Sequence, residues 1–417
     1  MGEREKSEGM LSPYRVLDLT DEKGLLCGKL LGDLGADVIK VERPGGDPAR
    51  SLGPFYHDDA DPERSLLWFA FNTSKRGITL DIETADGREI FKRLVRGADF
   101  VIESFSPGYM DKLGLGYSAL ERVNPRLIMV SITPFGQTGP YRDYKAPDIV
   151  VSAMGGLMYQ WGDADSPPVR ISHHSQAYLL AAAEAAEGAM LALYHRQTRG
   201  EGQQVDVSIQ GSLARCCTHG STVYWDMTRV NRRRGDMLQI IRITQMWPCK
   251  DGYVSWRYWS GPYAKRWNLP LVRWMESEGT ADDFLKGFDW DAFDWRTVSQ
   301  ETIDRIAEPT RKFFMAHTKA ELMEGALRHN AMLYPVSTTA DMLGSVQLAA
   351  RGFWTEVEHP ELGTTITYPG TFAHTSEAPP GISRRAPLIG EHNQEVYERE
   401  LGISREDLLT LKQAKVI

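Results

Sequence analysis

The chain has 417 residues, 42% hydrophobic, 10% aromatic and 25% charged, a balance that suits a globular protein of two domains and excludes disordered and fibrous classes. A formal net charge of −8 gives no electrostatic basis for binding nucleic acid. The opening MGEREKSEGM lacks the apolar core of a secretory signal and no run is long enough to span a membrane, so a cytoplasmic location without membrane contact is expected.

From Tyr14 onward, short β-branched runs alternate with helical patterns. YRVLDLT reads as a strand, GLLCGKLLGDLG as a helix stopped by Gly35, and ADVIKVE as the next strand, which together make one βαβ unit. GITLDI is extended, Thr84 is placed to cap a helix running through Val95, and ADFVIESF and RLIMVSIT read as two further strands. A long alanine-rich helix is predicted from about Gln176 to Arg199, followed by GEGQQVDVSI, a Gly-rich turn feeding another strand. This alternation predicts an α/β fold with a mostly parallel sheet covered on both faces. Residues 222–330 change texture, rich in Trp, Tyr and Arg, with MWPCKDGYVSWRYWSGPY reading as a small antiparallel element. The expected division is therefore 1–221 for a large domain, 222–330 for a small α+β domain, and 331–417 for a C-terminal segment that returns to the large one.

Cysteines at 27, 216, 217 and 249 show no C-x-x-C spacing and form no clip with a nearby His pair, which predicts buried free thiols and no metal site. The first βα turn, DLTDEKGLLCG, is not a G-x-G-x-x-G fingerprint, so a nicotinamide cofactor is not expected. Cations nevertheless recur where strands were expected to end: Lys40, Arg43 and Arg50, then Lys75 and Arg76, Lys112, and Arg142 with Lys145. Cations in such loops suit a polyphosphate ligand, although any one of them could equally be a solvated surface charge. At the entrance to the long helix, RISHHSQAY crowds His173, His174, Ser175, Gln176 and Tyr178 together, with no Asp or Glu between Arg170 and Ala183. A His and Ser pair could serve as base and nucleophile; Ser175 is also a natural helix cap, and the histidines could line a pocket.

Several long blocks, among them RVLDLT, LLGDLGADVIKVERPGGDPAR, NTSKRGITLDIETADGREIFKRLVRGADFVIESFSPGYMDKLGLGYSAL, NPRLIMVSITPFGQTGPY, GEGQQVDVSI and APLIGEHNQEVYERELGI, resemble the class III CoA-transferase (CaiB/BaiF) family in the same order. The resemblance implies a Rossmann-like large domain built from both chain ends, a small domain from the middle, and two subunits threaded through each other as an interlocked ring. It also implies coenzyme A or an acyl-CoA as substrate, with no permanently bound cofactor. By motif matching, the CoA nucleotide would meet Arg43, the N-x-x-K-R block of Asn72, Lys75 and Arg76, Ser104 and Phe105 where the family has N-F, Lys112, and Lys145. The usual Gly-Pro of the first turn is replaced by Leu25-Leu26, with Lys23 two residues before, and Ser104 lacks the customary amide.

Members of the family use an Asp at the start of the long helix to attack the thioester, and only a carboxylate can form the anhydride that this route needs. Matching EGAMLALYHRQTRGEGQ without gaps puts Tyr178 in that slot, so no catalytic residue is assigned, and His173, His174, Ser175 and Gln176 remain as pocket candidates. The expectation is the nucleophile-free subunit of a heterodimer or heterotetramer whose related partner carries the Asp. That assembly would move CoA from a donor such as succinyl-CoA to an organic acid such as benzylsuccinate of toluene degradation. Two alternatives stay open: a stand-alone transferase using Asp148, Asp163, Asp165 or Glu184, and a His/Ser-based acyl-CoA hydrolase. Racemisation, a third activity of the superfamily, is disfavoured because Pro147 and Tyr178 stand where its His and Asp would be.

Overall fold

A computed structural model describes residues 9–172, 174–238 and 240–417. Six strands, β1 (Arg15–Leu19), β2 (Asp37–Glu42), β3 (Lys75–Thr79), β4 (Phe100–Glu103), β5 (Ile128–Thr133) and β6 (Gln204–Ser208), form one parallel sheet in the order β3-β2-β1-β4-β5-β6. The helices that matter for the site are α1 (Leu25–Asp33), α2 (Ala85–Val95), α3 (Asp148–Met154) and α4 (Gln176–Arg199). Thr84 caps α2 by accepting the Gly87 N–H at 3.0 Å.

Alternation along each strand sends side chains to opposite faces, and both faces are buried, as a parallel sheet requires. Val16, Val38, Phe100, Ile102 and Val130 meet α1 and the alanine face of α4, through Ala177, Ala181, Ala185 and Ala189. Leu17, Ile39, Val101 and Met129 meet Phe91 and Leu94 of α2, together with Val396 and Tyr397 from the C-terminus. Small alanines let α4 lie close on the sheet, which is why so long a helix has so little bulk.

The C-terminal block closes the β3 edge. His392 Nδ1 accepts the Gly77 N–H at 3.1 Å, Asn393 Oδ1 accepts the Thr79 N–H at 2.9 Å, and Tyr397 donates to the Thr79 carbonyl at 2.6 Å. These side chains satisfy edge donors and acceptors that would otherwise be open to another strand. Buried Arg50 holds Glu42 through two bonds of 2.6 and 2.8 Å, reaches the Pro387 carbonyl at 2.9 Å, and lies 3.8 Å over the Trp68 ring.

The chain forms two compact units. One comprises residues up to Met158, Arg170–Arg229 and Ala349–Ile417; the other comprises Tyr159–Val169 and Val230–Leu348. These bounds differ from the 222–330 read from composition, because the helix Thr218–Met227 follows directly on Ile209–Cys216, which packs against α4, while the irregular segment Tyr159–Val169 joins the other unit. The second unit is built around Trp247, Trp256, Tyr258, Trp274, Phe313 and Phe314, on a three-stranded sheet whose Met246–Cys249 and Gly252–Ser255 strands are antiparallel. Cys27, Cys217 and Cys249 are buried as expected, but Cys216 is exposed, because it ends a helix on the side away from the core. Among the described residues no helix is long and apolar enough to cross a membrane.

Under the first turn, Asp18 is fully buried between two buried lysines, Lys75 at 2.8 Å and Lys40 at 4.0 Å. Burial pushes the Asp18 carboxyl up, but the two cations more than offset it and hold it below the ordinary value. The lysines also donate to backbone carbonyls of the turn, Lys75 to Leu25 and Lys40 to Thr20. A methyl group on Gly28 of α1 would stand 2.2 Å from the Asp18 Oδ2 that Lys75 holds. Gly28→Ala is therefore expected to lift α1 and cost about 1–3 kcal/mol, read as a lowered thermal midpoint; an unchanged midpoint would show that the contact yields freely.

Candidate active site

Strand order reverses between β1 and β4, and a parallel sheet opens a crevice beyond its carboxyl ends at such a point. A cavity of about 400 Å³ lies there, lined by Leu19 and Asp21 after β1, Val41, Arg43 and Pro44 at the end of β2, Leu80, Ile82 and Glu83 after β3, and Ser104, Phe105 and Tyr109 after β4. That size is ordinary for a small-molecule site. Its lining mixes Leu19, Val41, Leu80 and Ile82 with the acids Asp21, Glu42, Asp47, Asp81 and Glu83, and Phe105 and Tyr109, four residues apart, place their rings 4.7 Å from each other. Arg43 and Lys415 are the cations on its wall. Ser104 ties the crevice across the sheet, its hydroxyl accepting the Asp21 N–H at 2.9 Å and donating to Asp21 Oδ1 at 2.7 Å, while Lys23 pairs with the other oxygen of Asp21.

The predicted cations divide sharply. Arg43, Ser104 and Phe105 line the cavity, whereas Lys112 and Lys145 are exposed and are not on its wall. Lys75 and Arg76 do not follow a strand; they begin β3, at the opposite end of the sheet from the crevice. Lys75 is committed to Asp18, the Leu25 carbonyl and Asn72 Oδ1 at 2.9 Å, which also accounts for the buried Asn72. Arg76 is committed to Asp37, Glu395 and Glu400. Lys40 and Arg50 are likewise internal. The N-x-x-K-R block thus braces the first turn from below and fastens the C-terminus, rather than presenting charge to a ligand. Tyr109, which the sequence reading passed over, was signalled by its spacing of four from Phe105.

The entrance to α4 is organised by Asp148 at the start of α3. Its Oδ1 accepts the Ala177 N–H at 3.0 Å and its Oδ2 accepts from Arg170 Nη2 at 2.9 Å. Ser175 stands at the cap position but makes no capping bond; the carboxylate of Asp148 does that work instead. Tyr178 is 3% exposed and turns into the core, with its hydroxyl 3.5 Å from the Ala146 carbonyl. Burial, reinforced by the carboxylates of Glu22 and Asp148, pushes its ionisation further up, so it is no anionic nucleophile near neutral pH. His174 and Gln176 are exposed and line a smaller cavity of about 200 Å³ with Arg170, Ser172 and Ala177. His173 lies outside the described residues. Of the other acids, Glu184 pairs with Arg215 at 2.7 Å, and Asp163 and Asp165 both face Arg242 in the second unit, at 3.6 and 2.9 Å. Among the described residues no group of His, Cys, Asp or Glu could hold a metal ion.

Glu103, at the carboxyl end of β4, is buried beside the crevice and accepts the Phe105 N–H at 2.8 Å, fixing the turn that carries Ser104 and Phe105. Burial raises its carboxyl to about 7 from an ordinary 4.5, in spite of bonds from Ser131 and Phe105. Between those values the folded protein holds a proton that the unfolded chain has released, so stability falls as pH rises through that window. Glu103→Gln, which mimics the protonated acid, should flatten the thermal midpoint across it; a pH dependence identical to that of the wild type would refute the assignment.

Residues 11–393 match the model of CoA-transferase family III. The chain is 39% identical over 387 residues, 92% of its length and 93% of the relative's, to the succinyl-CoA:(R)-benzylsuccinate CoA-transferase subunit BbsE of Thauera aromatica. It is 33% identical to the succinyl-CoA–D-citramalate CoA-transferase of Chloroflexus aurantiacus, covering 98% of each chain. Among solved structures, a CaiB/BaiF family protein from Brucella suis superposes with a TM-score of 0.82 at 28% identity, covering 94% of this chain and 99% of that one. With a crevice at the sheet's switch point and the family's blocks running along its whole length, the chain belongs to CoA-transferase family III, enzymes that take an acyl-CoA as substrate and keep no permanent cofactor.

Proposed function

We propose that this chain is the subunit of a heteromeric, cytoplasmic CoA-transferase that does not supply the nucleophile, paired as an interlocked ring with a related subunit that does. The observation that carries this reading is the entrance to α4. The slot expected to hold an Asp holds Tyr178, buried and protonated, and no Asp or Glu stands between Arg170 and Ala183. Asp148 has both oxygens engaged in holding the helix and Arg170, and an attack from it would dismantle the entrance. A likeness of 39% to a protein named as a subunit supports the heteromer, and succinyl-CoA in the names of both relatives supports it as the donor. The proposed acceptor is an organic acid of the benzylsuccinate type.

In this reading the crevice takes the CoA nucleotide. Its base would lie between Phe105 and Ile82, and its phosphates would face Arg43 and Lys415, with Lys23 and Ser104 shaping the turn. Lys112 and Lys145 stay off its wall, and Asn72, Lys75 and Arg76 act from below. Reversing the charge at Arg43 (Arg43→Glu) should weaken CoA binding by about tenfold or more, measured by calorimetric titration. Unchanged affinity would move the nucleotide elsewhere.

Assayed with succinyl-CoA and benzylsuccinate, the chain alone should show no transfer, and adding a family relative that carries the Asp should restore it. Full turnover by the isolated chain would sink the heteromer. In the reconstituted enzyme Tyr178→Phe should keep turnover within about twofold, since the bond of the lost hydroxyl to the Ala146 carbonyl is long, at 3.5 Å. Loss of the covalent acyl-enzyme in that variant would assign Tyr178 a part in chemistry.

A further inference from the structure

The smaller cavity at the start of α4 is lined by groups that the transfer reaction leaves unassigned. It measures about 200 Å³, and Leu157, Ile171, Leu180 and Leu213 make it mostly apolar, while α3 contributes Ser152 and the chain before α4 contributes Arg170. One edge of the Arg170 guanidinium is fixed, because Nη2 donates to Asp148 at 2.9 Å. Its Nε is buried, and among the described residues it has no hydrogen-bond partner. A ligand oxygen in the cavity would satisfy that buried donor, although the Arg170 side chain as a whole is 32% exposed.

We propose that this cavity is a receptor for the free carboxylate of an organic acid with an apolar body, and that Arg170 is its anchoring cation. The identity of the acid rests on the transferase reading; the site itself rests on the cavity. Asp148 does not spoil it, since both of its oxygens are spoken for, one by Arg170 and one by the Ala177 N–H. The 24-residue helix behind the cavity adds a modest positive potential at its start. A polyphosphate would need several cations and more room, whereas one guanidinium among leucines suits a single carboxylate carried on hydrocarbon. The cavity left beside the vacated nucleophile slot thus keeps a binding role without a covalent one, and Arg170 is a specificity-determining residue.

The test is calorimetric titration of the full-length chain with 2-benzylsuccinate and with succinate. Wild type should bind benzylsuccinate saturably and more tightly than succinate, because only the former fills the apolar walls. Arg170→Gln should weaken binding at least about tenfold, the loss expected for one charge-assisted hydrogen bond. As Arg170→Gln also frees Asp148, a second variant, Ser152→Phe, fills the cavity from α3 and leaves the ion pair intact; it should weaken binding with an unchanged thermal midpoint. Affinity that survives both substitutions overturns the proposal, as does equal binding of the two acids. Turnover with the Asp-bearing relative is read separately. Arg170-dependent binding without any turnover would defeat the transferase reading and keep the carboxylate site, and normal turnover with Arg170-independent binding would do the reverse.

Discussion

The carboxylate of Asp148 decides what the entrance to α4 can be. With one oxygen it takes the Ala177 N–H, an orphan donor of the helix's first turn, and with the other it takes the Arg170 guanidinium. Because the acid that caps α4 comes from α3, the two helices and the chain between them are fastened at one buried point. Everything nearby follows from that. Ser175 is left without a capping role, Tyr178 turns inward, and Arg170 is held with a buried Nε that has no hydrogen-bond partner among the described residues.

The parallel sheet was legible because β1, β2, β4 and β5 are buried on both faces and read as largely apolar runs, while helices carry stop or cap signals such as Thr84 before α2. The limits of α4 were legible for the same reason, with Gly200 in left-handed geometry at its end. Less legible was the start of β3. GITLDI looked like the strand and KRG like the loop before it, yet pairing of Val38 with Lys75 and Ile39 with Arg76 draws both cations into the sheet. A charge on a strand is unexpected until its partner is known, and the partners lie 57 residues away at Asp18 and more than 300 away at Glu395 and Glu400.

That failure has a general physical cause. A list of cations says how much charge is present, not where it is already neutralised. Lys40, Arg50, Lys75 and Arg76 are bound to acids inside the fold, and Arg43, from the same stretch, faces the crevice. Sequence distance cannot separate these fates, because the pairing is made by the crossing of strands. The aromatic pair of Phe105 and Tyr109 is the opposite case: a spacing of four over a turn and a short helix is local, and it could have been read directly.

If position 178 is the vacated nucleophile slot proposed above, the fold around it does not need the missing acid. The helix start does not depend on the residue at 178 for a cap, since Asp148 supplies it from outside the helix. The first turn does not depend on it either, being braced by Lys40 and Lys75 from below. What position 178 contributes is volume, and a tyrosine ring turned into the alanine-lined core contributes more of it than an aspartate would. An ionised acid at the same depth would have to be paired or kept in contact with water, whereas the ring needs neither. On the proposed reading, an aromatic side chain in place of the nucleophile relieves the core of a charge while the architecture shared with the relatives is kept.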